Sequence, residues 1–318
     1  MFGDTVDVRF SNGASCSNVP VYNGYYTGFG EPLVICHEKY VSVQNNMGGD
    51  FFEELGLTEP FSAEVTLREP GGCLAVQTAL SLVYTDKWDD YESDEVFANF
   101  RAMGGGSLVP NLFFRGASPC DNQHNRAPYV SGLLDANDVQ CVIDLADTQT
   151  KIAAYRRDGA LPVPYWKQLV DDGKVHAHPV VADFTVKASR EGNVAALRTI
   201  LENPGPYYVH CLEGKDRTGF LCILIESLAG ATLDEVQLDY MITFANYYGI
   251  DPDVDLERCR QIRDVFFGNL VCPLAECPLA ECTTEKLNAG VKGYLETSGM
   301  SKDEIASLVA KLTGKEVR

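Results

Sequence analysis

The sequence predicts an α/β protein in which a domain built on a central, mostly parallel sheet with flanking helices follows a small β-rich domain. Beyond about residue 108, short apolar runs of strand length alternate with segments that carry apolar residues at helical spacing, as expected for helices packed on a mostly parallel sheet. In the first hundred residues, short alternating segments are separated by turns rich in Gly, Asn and Tyr, which favours a β-rich domain. We therefore assign residues 1–100 to a β-rich domain of unknown role and residues 101–318 to the α/β domain.

The β-rich part of the chain contains few segments with a regular pattern. Thr5–Phe10 and Glu64–Leu67 alternate apolar and polar residues, as half-buried strands do, and Phe51–Leu55 has the pattern of a short helix. These elements fit a small domain such as a barrel. The acidic run over 86–95 and the glycines at 104–106 are typical of a connection between domains.

The α/β part has clearer elements. Its predicted strands are Val139–Leu145, Val175–Val181 and Tyr207–His210. Its predicted helices are marked by the apolar repeats of Val194–Leu201, Thr218–Ala229, Val236–Phe244 and Ile305–Leu312. The last two repeats follow capping boxes, at Thr232–Glu235 and Ser301–Glu304, in which a hydroxyl and a glutamate three residues apart satisfy backbone N–H groups at the helix start.

Charge and hydropathy exclude several classes of protein. The net charge of −19 argues against a broad electrostatic surface for nucleic acid or an anionic membrane, so a phosphate-bearing partner must be bound by a local site. No apolar run approaches the roughly 20 residues that span a bilayer. The first residues contain neither a basic nor an apolar region of the kind that forms a signal peptide.

Cysteine usage points to a reducing compartment. The chain has 11 cysteines, an odd number, and a protein of this length does not need disulfides to be stable. We expect a cytoplasmic protein, with a secreted effector as the alternative. Three of the cysteines, Cys272, Cys277 and Cys282, form an evenly spaced repeat that matches no usual zinc spacing, which favours a duplicated loop over a metal or redox site.

One segment, His210–Gly219, carries recognisable chemistry. It follows a predicted strand and opens a predicted helix, where backbone N–H groups and the helix dipole converge on an anion. A thiolate at Cys211 would be stabilised by those amides, by the dipole and by Arg217. The planar fork of Arg217 can also bind two oxygens of a phosphoryl group, and Gly214 lets the backbone close around a ligand.

This segment resembles the phosphate-binding loop of the cysteine-dependent protein tyrosine phosphatase superfamily. The order His-Cys-x-x-Gly-Lys-Asp-Arg-Thr-Gly is most similar to the atypical bacterial tyrosine and phosphoinositide phosphatases. Leu112–Ser118 and Asp239–Met241 resemble two further segments of that family, whereas Ala146 stands where the family commonly has an arginine. The resemblance does not extend to the N-terminal domain.

The resemblance implies a two-step hydrolysis of phosphomonoesters through a phosphocysteine. Cys211 would be the nucleophile, Arg217 would stabilise the phosphoryl oxygens, Thr218 would hydrogen-bond the sulfur, and His210 would orient the loop. The residues expected to bind the substrate phosphate follow the cysteine directly: Leu212, Glu213, Gly214, Lys215, Asp216 and Arg217. No metal and no cofactor are implied, since the loop itself supplies the positive charge.

Two carboxylates compete for the role of general acid. Asp216 lies inside the loop, where the resembled enzymes place their acid, and lipid-specific relatives share its Asp-Arg-Thr order. Asp183 lies upstream of the cysteine, where other members of the superfamily carry an acid on a movable loop, but the Trp-Pro that usually precedes that acid is absent. The resemblance favours Asp216, with Asp183 as the alternative.

The substrate stays open between a phosphorylated tyrosine protein and a phosphoinositide, and the oligomeric state is not determined. Lys215 adds a positive charge that contacts a second phosphate in the lipid-active relatives, while Glu213 opposes it. Two other functions remain possible. One is a catalytically idle phosphate-binding module, which the intact Cys211 and Arg217 argue against. The other is an arsenate-reducing or sulfur-transfer enzyme, for which the sequence offers no relay pair beyond the nearby Cys222.

Overall fold

The computed structural model describes residues 1–37 and 39–315, and these divide into two compact units. Unit 1 comprises the described residues within 1–83 and 251–273, and unit 2 comprises residues 84–250 and the described residues from 274 onward. The sequence alone placed one boundary, near residue 100. The structure has the first boundary earlier in the chain, and it adds to the β-rich unit a second segment from far downstream.

Unit 1 is built on a five-stranded sheet with the strand order β4-β3-β2-β1-β5. The strands are β1 Thr5–Phe10, β2 Ser15–Tyr22, β3 Pro32–Cys36, β4 Val41–Asn45 and β5 Ala63–Glu69. The apolar face of β1, with Val6, Val8 and Phe10, lies in the core of this unit, as its alternating pattern predicts. Within residues 1–37 and 39–83 the sheet is open, with β4 and β5 at its edges, and is not the barrel suggested by the sequence.

Two helices accompany this sheet. Helix α1, Phe51–Glu54, confirms the predicted short helix, and the Asp50 side chain caps it by accepting from the N–H groups of Phe52 and Glu53. Helix α2 covers Leu74–Leu80.

Unit 2 is built on a second five-stranded sheet, and it confirms the mostly parallel architecture predicted for this part of the chain. Its strands are β6 Arg101–Ala102, β7 Phe113–Gly116, β8 Cys141–Asp144, β9 Val175–Ala177 and β10 Tyr207–His210, in the order β6-β7-β10-β8-β9. Only β6 is antiparallel to its neighbour. Because β10 is central and parallel to both neighbours, the carboxyl ends of β7, β10 and β8 meet at one edge, where α/β proteins bind ligands.

Helices flank the second sheet. They are α3 Asp94–Phe97, α4 Ala127–Ala136, α5 Gln149–Arg157, α6 Pro164–Asp171, α7 Lys187–Glu202, α8 Asp216–Leu228 and α9 Leu233–Tyr248. Every residue of α8 from Thr218 onward is buried, which makes this helix the centre of the unit. Helix α9 begins with the predicted capping box of Thr232 and Glu235 and ends at Gly249.

The last part of the chain returns to unit 1 and then completes unit 2. Helix α10, Leu256–Ile262, packs against α2, where Arg258 Nε donates to the Ala79 carbonyl at 2.8 Å. A π-helical turn over 263–267 leads into α11, Gly268–Ala275, followed by α12, Thr284–Thr297, and α13, Lys302–Thr313. Helix α13 confirms the second predicted capping box, at Ser301 and Glu304.

The acidic run over 86–95 is part of unit 2 and not a connection between domains. Arg126, which is buried at the start of α4, donates to the Thr85 and Phe97 carbonyls and to Asp86 Oδ1. Its guanidinium also lies over the ring of Tyr247, 4.1 Å from the centroid. One cation therefore fixes the start of unit 2 in place.

No helix among the described residues combines the length and the apolar character needed to cross a membrane.

Candidate active site

The predicted phosphate-binding loop lies at the carboxyl edge of the second sheet. His210 ends the central strand β10 and pairs with Gly116 of β7 on one side and Asp144 of β8 on the other. Cys211 follows at once and is 4% exposed, and α8 begins at Asp216. The cysteine thus lies at the bottom of a loop between a strand and a helix N-terminus, as the sequence predicts.

Each carbonyl group from His210 to Gly214 accepts a hydrogen bond, four of them from donors outside the loop and one from the His210 ring. His210 O accepts from Leu145 N at 2.9 Å, and Leu212 O accepts from Ser118 N at 2.9 Å. His210 Nδ1 donates to Cys211 O at 3.0 Å. Asn99 Nδ2 donates to Glu213 O at 3.0 Å, and Arg115 Nη2 donates to Gly214 O at 2.9 Å.

These contacts set the direction of the loop amides. In a planar trans peptide the N–H points away from the preceding carbonyl oxygen. Because the carbonyls of residues 210–214 are each held by a donor, four of them outside the loop and one the His210 ring, the N–H groups of residues 211–215 point away from these donors, as in an anion-binding nest. Together with the N-terminus of α8 they form a cradle for an anion above Cys211.

Gly214 is required by both its conformation and its surroundings. Its φ is +75°, and a Cβ atom at this position would lie 2.3 Å from the Gly116 carbonyl oxygen. No side chain larger than hydrogen fits without moving β7. The loop therefore approaches the end of β7 as closely as the backbone allows.

A buried charge network supports the loop from below. Arg115, which is 1% exposed, donates to Asp239 as well as to Gly214 O, and Arg101 donates to the other oxygen of Asp239 at 2.9 Å. Burial by itself would raise the pKa of Asp239, but Arg101 and Arg115 hold that pKa below its usual value. Burial, and then Asp239, raise the pKa of the neighbouring Glu226 well above its usual value.

Asn99 connects this network to the loop. Its side chain donates to Glu213 O, accepts from Arg101 at 2.8 Å, and is completely buried. Its φ of +50° lies in the left-handed region, which asparagine tolerates better than most residues. The orientation of two consecutive loop peptides thus depends on Asn99 and Arg115.

The His210 ring contacts the loop backbone directly. Because a carbonyl oxygen only accepts, Nδ1 carries the hydrogen in its contact with Cys211 O. Its Nε2 lies 3.7 Å from Asp144 Oδ2, and both side chains are completely buried. Burial raises the pKa of Asp144.

The first helical turn contains the remaining predicted residues. Arg217 Nη1 lies 3.5 Å from Leu145 O. Thr218 is buried, but its hydroxyl makes no hydrogen bond within the described part of the chain, so the bond to the Cys211 sulfur implied by the resemblance is not formed in this structure.

Asp216, the favoured acid, is held by a tyrosine from α9. Tyr240 Oη donates to Asp216 Oδ1 at 3.1 Å, and the buried Tyr240 ring occupies the space beside Gly219, where a Cβ would lie 2.7 Å from the ring. The other carboxylate oxygen of Asp216, Oδ2, is 3.6 Å from Lys215 Nζ, and the Asp216 side chain is 42% exposed.

Asp183, the alternative acid, lies in the segment between β9 and α7 and is not part of the loop. Its Oδ1 accepts from the Thr185 backbone at 2.9 Å and hydroxyl at 2.6 Å. The adjacent Phe184 stacks on Phe220 of α8 with ring centroids 4.1 Å apart, which anchors this segment beside the first turns of α8.

One group of potential metal ligands occurs in the described ranges, formed by the buried Cys120, Asp144 and Asp147. The protein already supplies donors to both carboxylates. Asp144 Oδ1 accepts from two backbone N–H groups, and Lys151 Nζ lies 2.6 Å from Asp147 Oδ1. The repeat cysteines at 272, 277 and 282 do not belong to this group.

The fold and the loop define an α/β protein with a cysteine at the base of an anion-binding cradle. Residues 95–314 match the tyrosine phosphatase family. Since this match spans more than half of the chain, the protein belongs to the tyrosine phosphatase family and is a phosphatase of that family, which confirms the resemblance drawn from the loop.

Solved structures also match the chain. One of them, the core catalytic domain of the PP-IP phosphatase SIW14 from S. cerevisiae, is 18% identical to this chain, with a TM-score of 0.30, and the match covers 50% of this chain and 89% of that one. No curated protein sequence matches the chain.

Sequence reasoning missed the residues that support the loop from outside it. Arg115 and Asp239 lie in segments noted for their family resemblance, but nothing in their spacing indicates an ion pair, and Asn99 lies in a stretch without a clear pattern. Tyr248, which contacts the loop residues Glu213 and Lys215, could have been suspected only from its helical spacing with Tyr240 and Phe244.

Proposed function

We propose that this phosphatase hydrolyses phosphomonoesters through a phosphocysteine at Cys211. The thiolate attacks phosphorus in line, so that an S–P bond forms while the P–O bond to the leaving group breaks. Arg217 and the loop amides stabilise the equatorial oxygens, which carry the charge in the transition state. Water then attacks phosphorus, the S–P bond breaks, and inorganic phosphate leaves.

The observation that carries this proposal is the orientation of the loop carbonyls. Five consecutive carbonyls, from His210 to Gly214, each accept a hydrogen bond, four of them from donors outside the loop and the fifth from the His210 ring. Each of these bonds turns the following N–H group away from the donor. A preorganised cradle of this kind stabilises a phosphoryl group without reorganisation during the reaction. It also supplies the positive potential that a metal ion would otherwise provide.

Asp216 is proposed as the general acid that protonates the leaving oxygen. It begins the helix that follows the loop and is partly exposed, so it can reach a group at the mouth of the cradle. Asp183 remains the alternative, since its neighbour Phe184 is packed on α8. The Thr218 hydroxyl is proposed to bond the sulfur when it leaves phosphorus, because it is buried near the loop and unpaired within the residues described.

Sulfur transfer and arsenate reduction are disfavoured by the position of Cys222. This thiol is completely buried in α8, and burial raises its pKa well above the usual value. A relay cysteine must instead be accessible and easily ionised.

The test is steady-state turnover of p-nitrophenyl phosphate by the full chain and by Cys211→Ser. We expect the serine variant to lose essentially all activity, and wild-type activity to survive EDTA but to fall with vanadate or with peroxide acting on the thiolate. Equal rates for the two proteins, or loss on chelation that added metal restores, would overturn the proposal. Rates on phosphotyrosine peptides and on phosphoinositides would then define the substrate.

A further inference from the structure

The side chain of Lys215 is bound by groups of its own chain. Its Nζ lies 3.4 Å from Glu213 Oε2 and 3.6 Å from Asp216 Oδ2, and it donates to Tyr248 Oη at 3.2 Å. Only 12% of the side chain is exposed. The lysine expected to add positive charge at the cradle is therefore already surrounded by two carboxylates and a hydroxyl.

Glu213, Tyr248 and Lys215 form a closed triangle of polar contacts, and we refer to them as the rim triad. The Tyr248 hydroxyl accepts from Lys215 and donates to Glu213 Oε2 at 2.6 Å. Tyr248 is fixed in turn by the rings of Phe244 and Tyr84, at centroid distances of 5.9 and 5.8 Å. Because each member holds the other two, a ligand that recruits Lys215 must break contacts with both.

Glu213 is ionised in this arrangement. Burial by itself would raise the pKa of Glu213, but Lys215, Tyr248 and His124 hold that pKa below its usual value. The negative charge of Glu213 therefore lies beside Lys215, with Oε2 and Nζ 3.4 Å apart. Of the two basic side chains in the stretch 213–217, Lys215 is thus paired with Glu213, whereas Arg217 Nη1 lies 3.5 Å from Leu145 O.

We propose that Glu213 is a specificity-determining residue that restricts the site to substrates with a single phosphate. This inference rests on the proposed function and narrows its substrate class. A second phosphate placed near Lys215 would meet the fixed negative charge of Glu213 and would have to displace it from the lysine. Like charges brought together in this way reduce the affinity for the wrong ligand.

The experiment compares equilibrium binding of two probes by titration calorimetry. The probes are inorganic phosphate and myo-inositol hexakisphosphate, measured on the full chain with Cys211→Ser so that neither is consumed. We expect Glu213→Gln, which keeps the size and the acceptor for Tyr248, to strengthen binding of the hexakisphosphate by about tenfold. Binding of inorganic phosphate should strengthen much less, so that the ratio of the two affinities changes.

Three further variants make the result specific. Adding Lys215→Met to Glu213→Gln should remove the gain, because the released lysine provides it. Tyr248→Phe, which loosens the triad without changing charge, should give a smaller gain in the same direction. Asp171→Asn removes a carboxylate paired with Arg156 just before β9, at the opposite edge of the sheet, and should change neither affinity.

Two outcomes would overturn the proposal. One is an unchanged ratio of the two affinities in both Glu213→Gln and Tyr248→Phe, and the other is tight binding of the hexakisphosphate by the parent protein. Circular dichroism of each variant shows whether it is folded, and Tyr248→Phe replaces Glu213→Gln if the latter is not. The binding comparison does not depend on turnover. If the wild-type chain hydrolysed no phosphomonoester, the proposed function would be contradicted, but the role of Glu213 in selecting between the two probes would still be tested by their affinities.

Discussion

At the residue scale, the chemistry of the loop depends on side chains outside it. Cys211, Arg217 and Asp216 can act only if the loop amides face the substrate, and that direction is set by donors on other elements. Arg115 is one of these donors, and its guanidinium joins a loop carbonyl to the Asp239 carboxylate.

We predict that Arg115→Lys lowers kcat for aryl phosphates by about 10- to 100-fold. A lysine keeps the charge but cannot bind Asp239 and Gly214 O together, because it lacks the planar fork. The loop peptide would then lose its fixed direction. Steady-state kinetics and circular dichroism on the purified variant provide the measurement.

The matched control for Arg115→Lys is Arg101→Lys. Arg101 binds the same Asp239 but reaches the loop only through Asn99. It should lower thermal stability with a much smaller effect on kcat. Similar losses of kcat in both variants would mean that the network acts through overall stability.

For the general acid, we predict that Asp216→Asn lowers kcat by about 10²- to 10⁴-fold on substrates with poor leaving groups. The loss should be far smaller on an activated aryl phosphate, whose leaving group hardly needs a proton. The basic limb of the pH–rate profile should flatten, since that limb reports the protonated acid.

Asp183→Asn is the comparison for this prediction, and we expect it to change kcat very little on either kind of substrate. A silent Asp216→Asn beside a strongly impaired Asp183→Asn would move the acid to the segment between β9 and α7.

A substitution at Gly214 tests whether activity requires the close approach of the loop to β7. We predict that Gly214→Ala abolishes measurable turnover, because its Cβ would lie 2.3 Å from Gly116 O. Gly173→Ala is the control, since Gly173 has a similar φ of +71° but nothing within 4 Å. It should cost only about 1–3 kcal/mol of stability from backbone strain and leave kcat unchanged. Comparable activity in both variants would contradict a steric requirement at the loop.

At the element scale, the segment between β9 and α7 is bound to α7 by a side-chain contact. His178 lies in this segment, and its Nε2 is 2.8 Å from Thr199 Oγ1 of α7. Burial, with a further contribution from His176, lowers the pKa of His178 from 6.5 to about 4. The imidazole is therefore neutral in the folded protein where it would be charged in the unfolded chain.

The sign of the resulting pH dependence follows from proton uptake. Between about pH 6.5 and pH 4 the unfolded chain binds more protons at His178, so the free energy of unfolding falls as the pH is lowered through this range. We predict that in His178→Gln the free energy of unfolding falls less over the same pH range. Urea unfolding followed by tryptophan fluorescence reports on unit 2, because both tryptophans, Trp88 and Trp166, lie there.

The control is His37→Gln, which changes an exposed histidine of unit 1. It should leave the pH dependence of the unfolding of unit 2 as it is in the wild type. An identical dependence in His178→Gln would show that other groups cause it.

At the scale of the whole molecule, the chain passes from unit 1 to unit 2, back to unit 1 and again to unit 2. The returning segment over 251–273 is fastened within unit 1 by side chains as well as by helix packing. Asn269 donates to the Thr27 carbonyl at 3.0 Å, and Arg258 donates to the Ala79 carbonyl at 2.8 Å. A truncation after residue 83 or 100 would therefore separate residues 251–273 from the rest of unit 1.

We predict that deletion of residues 1–83 yields a protein with exposed apolar surface, because it removes helix α2, which packs against α10, and Tyr26, whose ring contacts Phe266. Increased binding of a hydrophobic dye and aggregation on size exclusion should reveal it. A monodisperse fragment 84–318 with full turnover of p-nitrophenyl phosphate would contradict this expectation.

The sequence by itself determined the elements and the reactive loop. Local signals were sufficient there: β1 and β10 have the predicted bounds, and both capping boxes form as written. The loop could be placed because its chemistry lies within ten consecutive residues between a strand and a helix. Such features depend on neighbours in sequence, which is the information that a single chain displays.

Tertiary structure alone decided what surrounds that loop. The contacts of Gly214 O with Arg115, Glu213 O with Asn99, and Lys215 with Tyr248 join residues between 33 and 114 positions apart. The return of residues 251–273 to unit 1 is also a long-range event. No periodicity encodes such pairs, because they arise when the sheet order brings strand ends together and burial forces each polar group to find a partner.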